Sequence, residues 1–181
     1  MLSLDRTHQL HLSRVDITCD NTYYQGVASG LQTELKQRKP FRSLKEEATL
    51  SIWRTAALLE HAFESALKPQ RITSTQYNVL RILRGSEPEG LCRNEISARL
   101  VREAPDVTRL LDRLEDAKLI ARQRGGADRR YVLTRITRAG LAVLDDVEEQ
   151  IDHIHEAQLG HLDDTQLRRL VSLLAEVRRR A

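Results

Sequence analysis

PDVTRLLDRLEDAKLIARQRGGADRRYVLTRI, residues 105–136, passes from a helical period to a shorter, strand-like one. In its first third Val107, Leu110, Leu111 and Leu114 recur every three or four residues, which places them on one helical face. Asp106, Thr108, Arg109, Asp112 and Arg113 take directions at least partly outward from that face. Pro105 is acceptable at a first helical position, so the helix is expected to run from about Pro105 to Lys118. Beyond Lys118 the period shortens. Leu119–Arg124 and Arg130–Ile136 are strand candidates flanking Gly125-Gly126-Ala127-Asp128, a pattern that predicts a hairpin with a glycine-rich turn.

Upstream, Thr73 and Gln76 carry a capping signature ahead of Tyr77, Val79, Leu80, Ile82 and Leu83, a short buried helix closed near Gly85. A turn over Gly85–Gly90 leads to another short helix through Ile96 and Leu100. Further back, Ser43 and Glu46 form a capping box before Leu44, Ala48, Ile52, Ala56, Leu59, Phe63 and Leu67. That is one long helix, stopped by Pro69. Its length exceeds what a small domain needs, so part of it is expected to pack on another subunit. From Tyr23 to Lys39 the positions Tyr24, Val27, Leu31 and Leu35 predict a shorter helix ended by Pro40. Residues 1–22 have no sustained period and are expected to form an arm.

Downstream, Thr137 caps a helix with Leu141, Leu144, Val147, Ile151 and Ile154 on its apolar face. Asp163 and Gln166 open a last helix striped by Leu167, Leu170, Leu173, Leu174 and Val177. The expected class is therefore mainly α (α+β). Three short helices and a hairpin make a winged helix-turn-helix core at about 70–137, within a single domain at 23–181. Long terminal helices, at about 23–68 and 138–180, have more apolar stripe than this core absorbs and are the candidate dimerisation elements.

The 181 residues are 30% charged, 40% hydrophobic and 4% aromatic, a helix-rich rather than strand-rich composition. Between Arg93 and Arg130 ten Lys/Arg face seven Asp/Glu, a surplus of three that equals the net charge of the whole chain, +3. A nucleic-acid surface is to be sought there. No apolar run approaches the roughly 18 residues of a membrane span, and the first residues lack the unbroken apolar core of a signal peptide. Cys19 and Cys92 have no paired or metal-site spacing. The expectation is a cytoplasmic protein with reduced thiols and no cofactor.

A helix entering the roughly 12 Å major groove must show short or fork-shaped polar groups outward. Arg109 suits bidentate contact with guanine. Thr108 suits a thymine methyl or a phosphate, and Arg102 and Arg113 suit phosphates that set register. Asp106 suits cytosine N4, or a bridge to Arg109 or Arg102. Arg122, Arg124, Arg129 and Arg130 surround the glycine turn, so that a wing can lay arginine in a minor groove. Asp128 is read as orienting Arg130. Each of these residues also suits an ordinary solvated surface; their order along the chain favours DNA.

TSTQYNVLRIL at 73–83, Glu95–Leu100, PDVTRLLDRLE at 105–115, Leu119–Arg122, Asp128-Arg129-Arg130 and ITRAG at 136–140 resemble, in order and spacing, the MarR family of bacterial transcriptional regulators. The likeness runs from about Val27 to Ile151 and more loosely through the last helix. It implies a homodimer that binds a near-palindromic double-stranded operator, with Asp106, Thr108 and Arg109 at the recognition-helix contact positions. Asp128 and Arg130 fall at the wing tip. It also implies a repressor released by a small aromatic or lipophilic effector in a crevice, for which Ile52, Trp53, Ala56, Tyr77 and Leu80 are the candidates and also suit plain core. Two departures stand out: no cysteine lies near Ala48, where some relatives sense peroxide, and an arm precedes Val27.

Other readings are a ligand-insensitive or activating regulator and a helical protein-interaction adaptor with a degenerate wing. Enzymatic chemistry has no motif here: no phosphate loop, nucleophile elbow or paired carboxylates occur. His8, His11, His61, His153, His155 and His161 do not share a ligand spacing on one helix face.

Overall fold

The computed structural model describes residues 30–124 and 132–180. The chain divides into two units, Met1–Ile52 and Trp53–Ala181. In the first, helix α1 (Gly30–Glu34) stops well before the expected Lys39, while the expected helical positions at 23–29 lie outside the described residues. Lys36 adopts a left-handed φ of 51°, and the N–H groups of Lys36 and Gln37 donate to the carbonyls of Thr33 and Gln32 at 3.1 and 3.0 Å. This paired closure ends the helix through backbone geometry, upstream of Pro40.

Helix α2 spans Leu44–Leu67. Ser43 Oγ accepts the Glu46 N–H at 3.2 Å, as the capping signature requires. The reciprocal bond is shifted by one residue, because the Glu46 carboxylate accepts from the Arg42 N–H at 2.7 Å and from its guanidinium at 3.0 Å. The Arg42 side chain thereby holds the Glu46 carboxyl below the usual range.

Within the second unit α2 runs into a 3-10 turn, Lys68–Gln70, which contains Pro69 and closes at a left-handed Arg71. Helix α3, Ser74–Arg84, is opened by the full Thr73–Gln76 capping box, with bonds of 3.2 and 2.9 Å. Glu64 adds a further acceptor for the first turn, taking the Ser74 N–H at 2.8 Å. Strand β1 (Leu91–Cys92), helix α4 (Arg93–Arg99) and helix α5 (Val107–Asp116) follow. Strands β2 (Ile120–Arg124) and β3 (Val132–Ile136) lead to helices α6 (Arg138–Leu159) and α7 (Asp164–Arg178).

The sheet is antiparallel in the order β1-β3-β2, and Thr134 of β3 lies opposite both Leu91 and Arg122. The two-residue β1 is absent from the sequence reading, since so short a strand has no period to detect. Helix α5 begins at Val107 rather than Pro105, because Asp106 is its cap. Leu80 and Leu83 of α3, Ile96 of α4, Leu111 and Leu114 of α5, Ile120 of β2 and Leu144 of α6 share one buried cluster. That cluster fixes α4, α5 and the sheet on one base, each large side chain contributing about 1.5–3 kcal/mol by leaving water.

The junction into α6 is tight. Thr137 N–H donates to the Leu119 carbonyl at 3.0 Å, while Thr137 Oγ1 donates to the Lys118 carbonyl at 2.7 Å and accepts from Gly140 N–H at 3.1 Å. A Cβ at Gly140 would overlap the Leu119 carbonyl oxygen, so the α6 backbone rests directly on the α5–β2 corner. Helix α7 opens with an Asp163–Gln166 capping box and has no buried residue. Its Val171, Leu173 and Val177 are more than half exposed, at 63%, 52% and 52%. Among the described residues no helix is long and apolar enough to cross a membrane.

Candidate nucleic-acid interface

Helix α5 presents two chemically distinct faces. Val107, Leu111 and Leu114 are buried, and Thr108, Arg109 and Arg113 are exposed. The sequence period and the burial pattern therefore agree on which residues are free to meet a partner. Asp106 caps the helix through its Oδ1, which accepts the Arg109 N–H at 2.9 Å, and its Oδ2 lies 3.7 Å from Arg109 Nε. Of the two roles read for Asp106, the structure displays the bridge to Arg109. Arg109 remains 79% exposed on its side chain, so this pairing orients the guanidinium without withdrawing it from solvent.

The approach to α5 is held at two points. Asn78 Oδ1 on α3 accepts the Val101 N–H at 2.9 Å, and Arg102 forms an ion pair with Glu60 on α2. Arg102, read from sequence as a phosphate contact, is thus engaged by a carboxylate in the free protein. Arg122, read from sequence as one of the wing arginines suited to a minor groove, is likewise engaged by carboxylates. Its Nη2 lies 2.7 Å from Asp112 Oδ1, its Nε donates to Glu115 Oε2 at 2.8 Å, and its backbone N–H donates to Glu115 Oε1 at 3.1 Å. A second side-chain contact joins Nη2 to Glu115 Oε2, the oxygen that also accepts from Nε. The Arg122 side chain is only 26% exposed. Hydrogen bonding from Arg122 holds the Glu115 carboxyl below its usual range, against the opposing effect of burial. Glu115 and Asp112 in turn raise the Arg122 guanidinium, keeping it charged.

A recess of about 330 Å³ opens beside α5 and is lined by Arg93 and Asn94 of α4, Thr108, Arg122 and Thr134 among others. Arg93 and Asn94 are exposed, and Arg93 Nη2 donates to Asn94 Oδ1 at 3.1 Å. The sequence reading singled out neither residue, although both line this recess. The available signal was Glu95, whose carboxylate accepts the Cys92 N–H at 2.8 Å and so marks Cys92 as the cap, with Arg93 and Asn94 in the first turn.

Arg124 is the last residue of β2. Asp128, Arg129 and Arg130 lie outside the described residues, as do Cys19 and the arm at 1–22. The five effector candidates are not alike: Leu80 and Tyr77 are core, Trp53 is 67% exposed, Ala56 is exposed, and Ile52 belongs to the other unit. For Tyr77 and Leu80 the packing role is the one displayed. Tyr77 sits edge-on to Phe63 at 5.3 Å and accepts a hydrogen bond from Arg81 at 3.2 Å. Among the described residues no three His, Cys, Asp or Glu side chains are placed to hold a metal ion.

Residues 72–132 match the model of the MarR family. Among solved structures the chain is similar to a MarR transcription factor from Planctomyces limnophilus, at 42% identity and a TM-score of 0.59, over 75% of this chain and 98% of that one. It has the fold of S. aureus MepR, solved as a DNA complex, at 22% identity and a TM-score of 0.68 over 74% and 97% of the two chains. It also has the fold of Bordetella bronchiseptica BpsR, whose DNA binding is regulated by 6-hydroxynicotinic acid, at 22% identity and a TM-score of 0.67 over 77% and 97%.

Proposed function

Because the chain belongs to the MarR family, and is accordingly a DNA-binding transcriptional regulator rather than an enzyme, we propose that it acts as a homodimeric repressor of a near-palindromic operator. The observation that carries this reading is the outward triad Thr108, Arg109 and Arg113 on a capped α5 whose other face is locked into the core. Arg109 reads a base edge in the major groove, and Arg113 meets phosphate. Arg102, Arg124 and the tip residues Asp128, Arg129 and Arg130 complete the contact set, with Arg102 exchanging Glu60 for phosphate.

Dimerisation is supported by the uncovered apolar side chains of α7, a face that a second copy would bury. Two copies would set their α5 helices about 34–36 Å apart, one turn of DNA. Release by a small aromatic or lipophilic acid is supported by the fold shared with BpsR, and the exposed Trp53 is the residue offered for contact with such a molecule.

The test is recovery of bound fragments from genomic DNA of the source organism, followed by transcript measurement in a deletion strain. Rising transcription downstream of the recovered sites supports repression, and falling transcription establishes activation instead. Titrating a panel of aromatic carboxylates against the bound fragments tests release.

A further inference from the structure

We propose that Arg122 is a positioning residue of the DNA-binding surface: it straps β2 to the recognition helix and masks two carboxylates of that helix, without itself meeting DNA. This rests on the DNA-binding reading above. Arg122 is the middle residue of β2, which pairs along its length with β3. Its guanidinium reaches back to Asp112 and Glu115, three residues apart on α5, and so joins the strand to one helical turn. The backbone N–H of the same residue adds a third bond to Glu115. Strand position and side-chain direction are therefore tied to α5 together.

The electrostatic consequence is equally direct. Asp112 and Glu115 share α5 with Arg109 and Arg113, and their side chains are 48% and 37% exposed. Unpaired, these two anions would stand beside the phosphates that Arg113 has to meet. Held against Arg122, they leave the cationic face of α5 in control of the local field. Lysine cannot reproduce this arrangement, because a single ammonium lacks the planar fork that serves two carboxylates at once.

The experiment compares the unmodified chain with Arg122→Lys, Glu115→Gln and Arg113→Ala. A duplex selected by the unmodified chain is titrated at several salt concentrations, and thermal melting monitors folding. Arg122→Lys should lose about tenfold in affinity with the salt slope unchanged, whereas Arg113→Ala should reduce the slope by about 0.9. Glu115→Gln removes a negative charge near DNA, so simple electrostatics would tighten binding; the strap predicts weaker binding. Wild-type affinity in Arg122→Lys, a slope reduced by about 0.9 in that variant, or tighter binding by Glu115→Gln would each overturn the proposal. Failure of the unmodified chain to select any duplex would overturn the DNA-binding reading, and this inference with it.

Discussion

Asp106 uses one carboxylate for two tasks, accepting the backbone N–H of Arg109 at 2.9 Å through Oδ1 and standing 3.7 Å from the Arg109 guanidinium through Oδ2. The first bond starts the helix and the second aims its principal side chain. Substitution separates them. Asp106→Asn keeps an acceptor at the cap, so its stability should stay within a few tenths of a kcal/mol of the parent, while Arg109 loses its ionic partner. Asp106→Ala should cost about 1 kcal/mol as well. Urea unfolding of the two variants, alongside duplex titration, checks the separation; equal stability losses would contradict it.

Acid should act on Glu115. Its carboxyl titrates lower in the folded chain than in the unfolded one, chiefly because Arg122 hydrogen-bonds to it. The unfolded state then binds more protons in that window, so this contribution to stability is complete above the ordinary glutamate range. It is lost as pH falls through the depressed folded value. Stability of Glu115→Gln should accordingly converge on that of the parent in acid and fall below it near neutrality. Denaturant midpoints measured from neutral to acid pH read this directly; a constant difference would sink the assignment.

Gly140 has no room for a side chain, because its Cβ would meet the Leu119 carbonyl oxygen and Ile136. Backbone on that side cannot rotate away as a flexible side chain could. Gly140→Ala is expected to destabilise the second unit by about 1–3 kcal/mol, the usual cost of overpacking. Thermal or urea denaturation checks it, and an unchanged midpoint would show that α6 can shift.

Dimerisation should fail when charge is placed on α7. Val171 and Leu173 are exposed in the single chain, so Val171→Glu with Leu173→Glu leaves the core cluster untouched. Sedimentation should show the parent as a dimer and the double variant as a folded monomer. A double variant that remains dimeric would place the interface elsewhere.

The apolar period made the recognition helix legible, since Val107, Leu111 and Leu114 are the positions it buries. Side-chain caps were equally legible at Thr73, Thr137 and Asp163. Backbone events were not: Lys36 ends α1 through a left-handed turn that carries no compositional mark. The strand β1 is defined by pairing with β3 and not by its own two residues. At the interface, outward direction followed from helical spacing, but engagement did not. Arg122 meets Glu115 seven residues away only because β2 folds back on α5, and Arg102 meets Glu60 across 42 residues. An arginine's identity reveals what it is able to bind, and its tertiary neighbours decide whether it is occupied.

Sequence reading by Arg109 of α5 is checked by selecting bound duplexes from a random pool at fixed salt with the parent chain and with Arg109→Ala. The parent chain should enrich a near-palindrome with half-sites about 10 base pairs apart, whose preference at one or two positions per half-site collapses in the variant. Loss of one such bidentate contact should cost about 1–3 kcal/mol. No enriched sequence, or an identical motif recovered by both proteins, would contradict it.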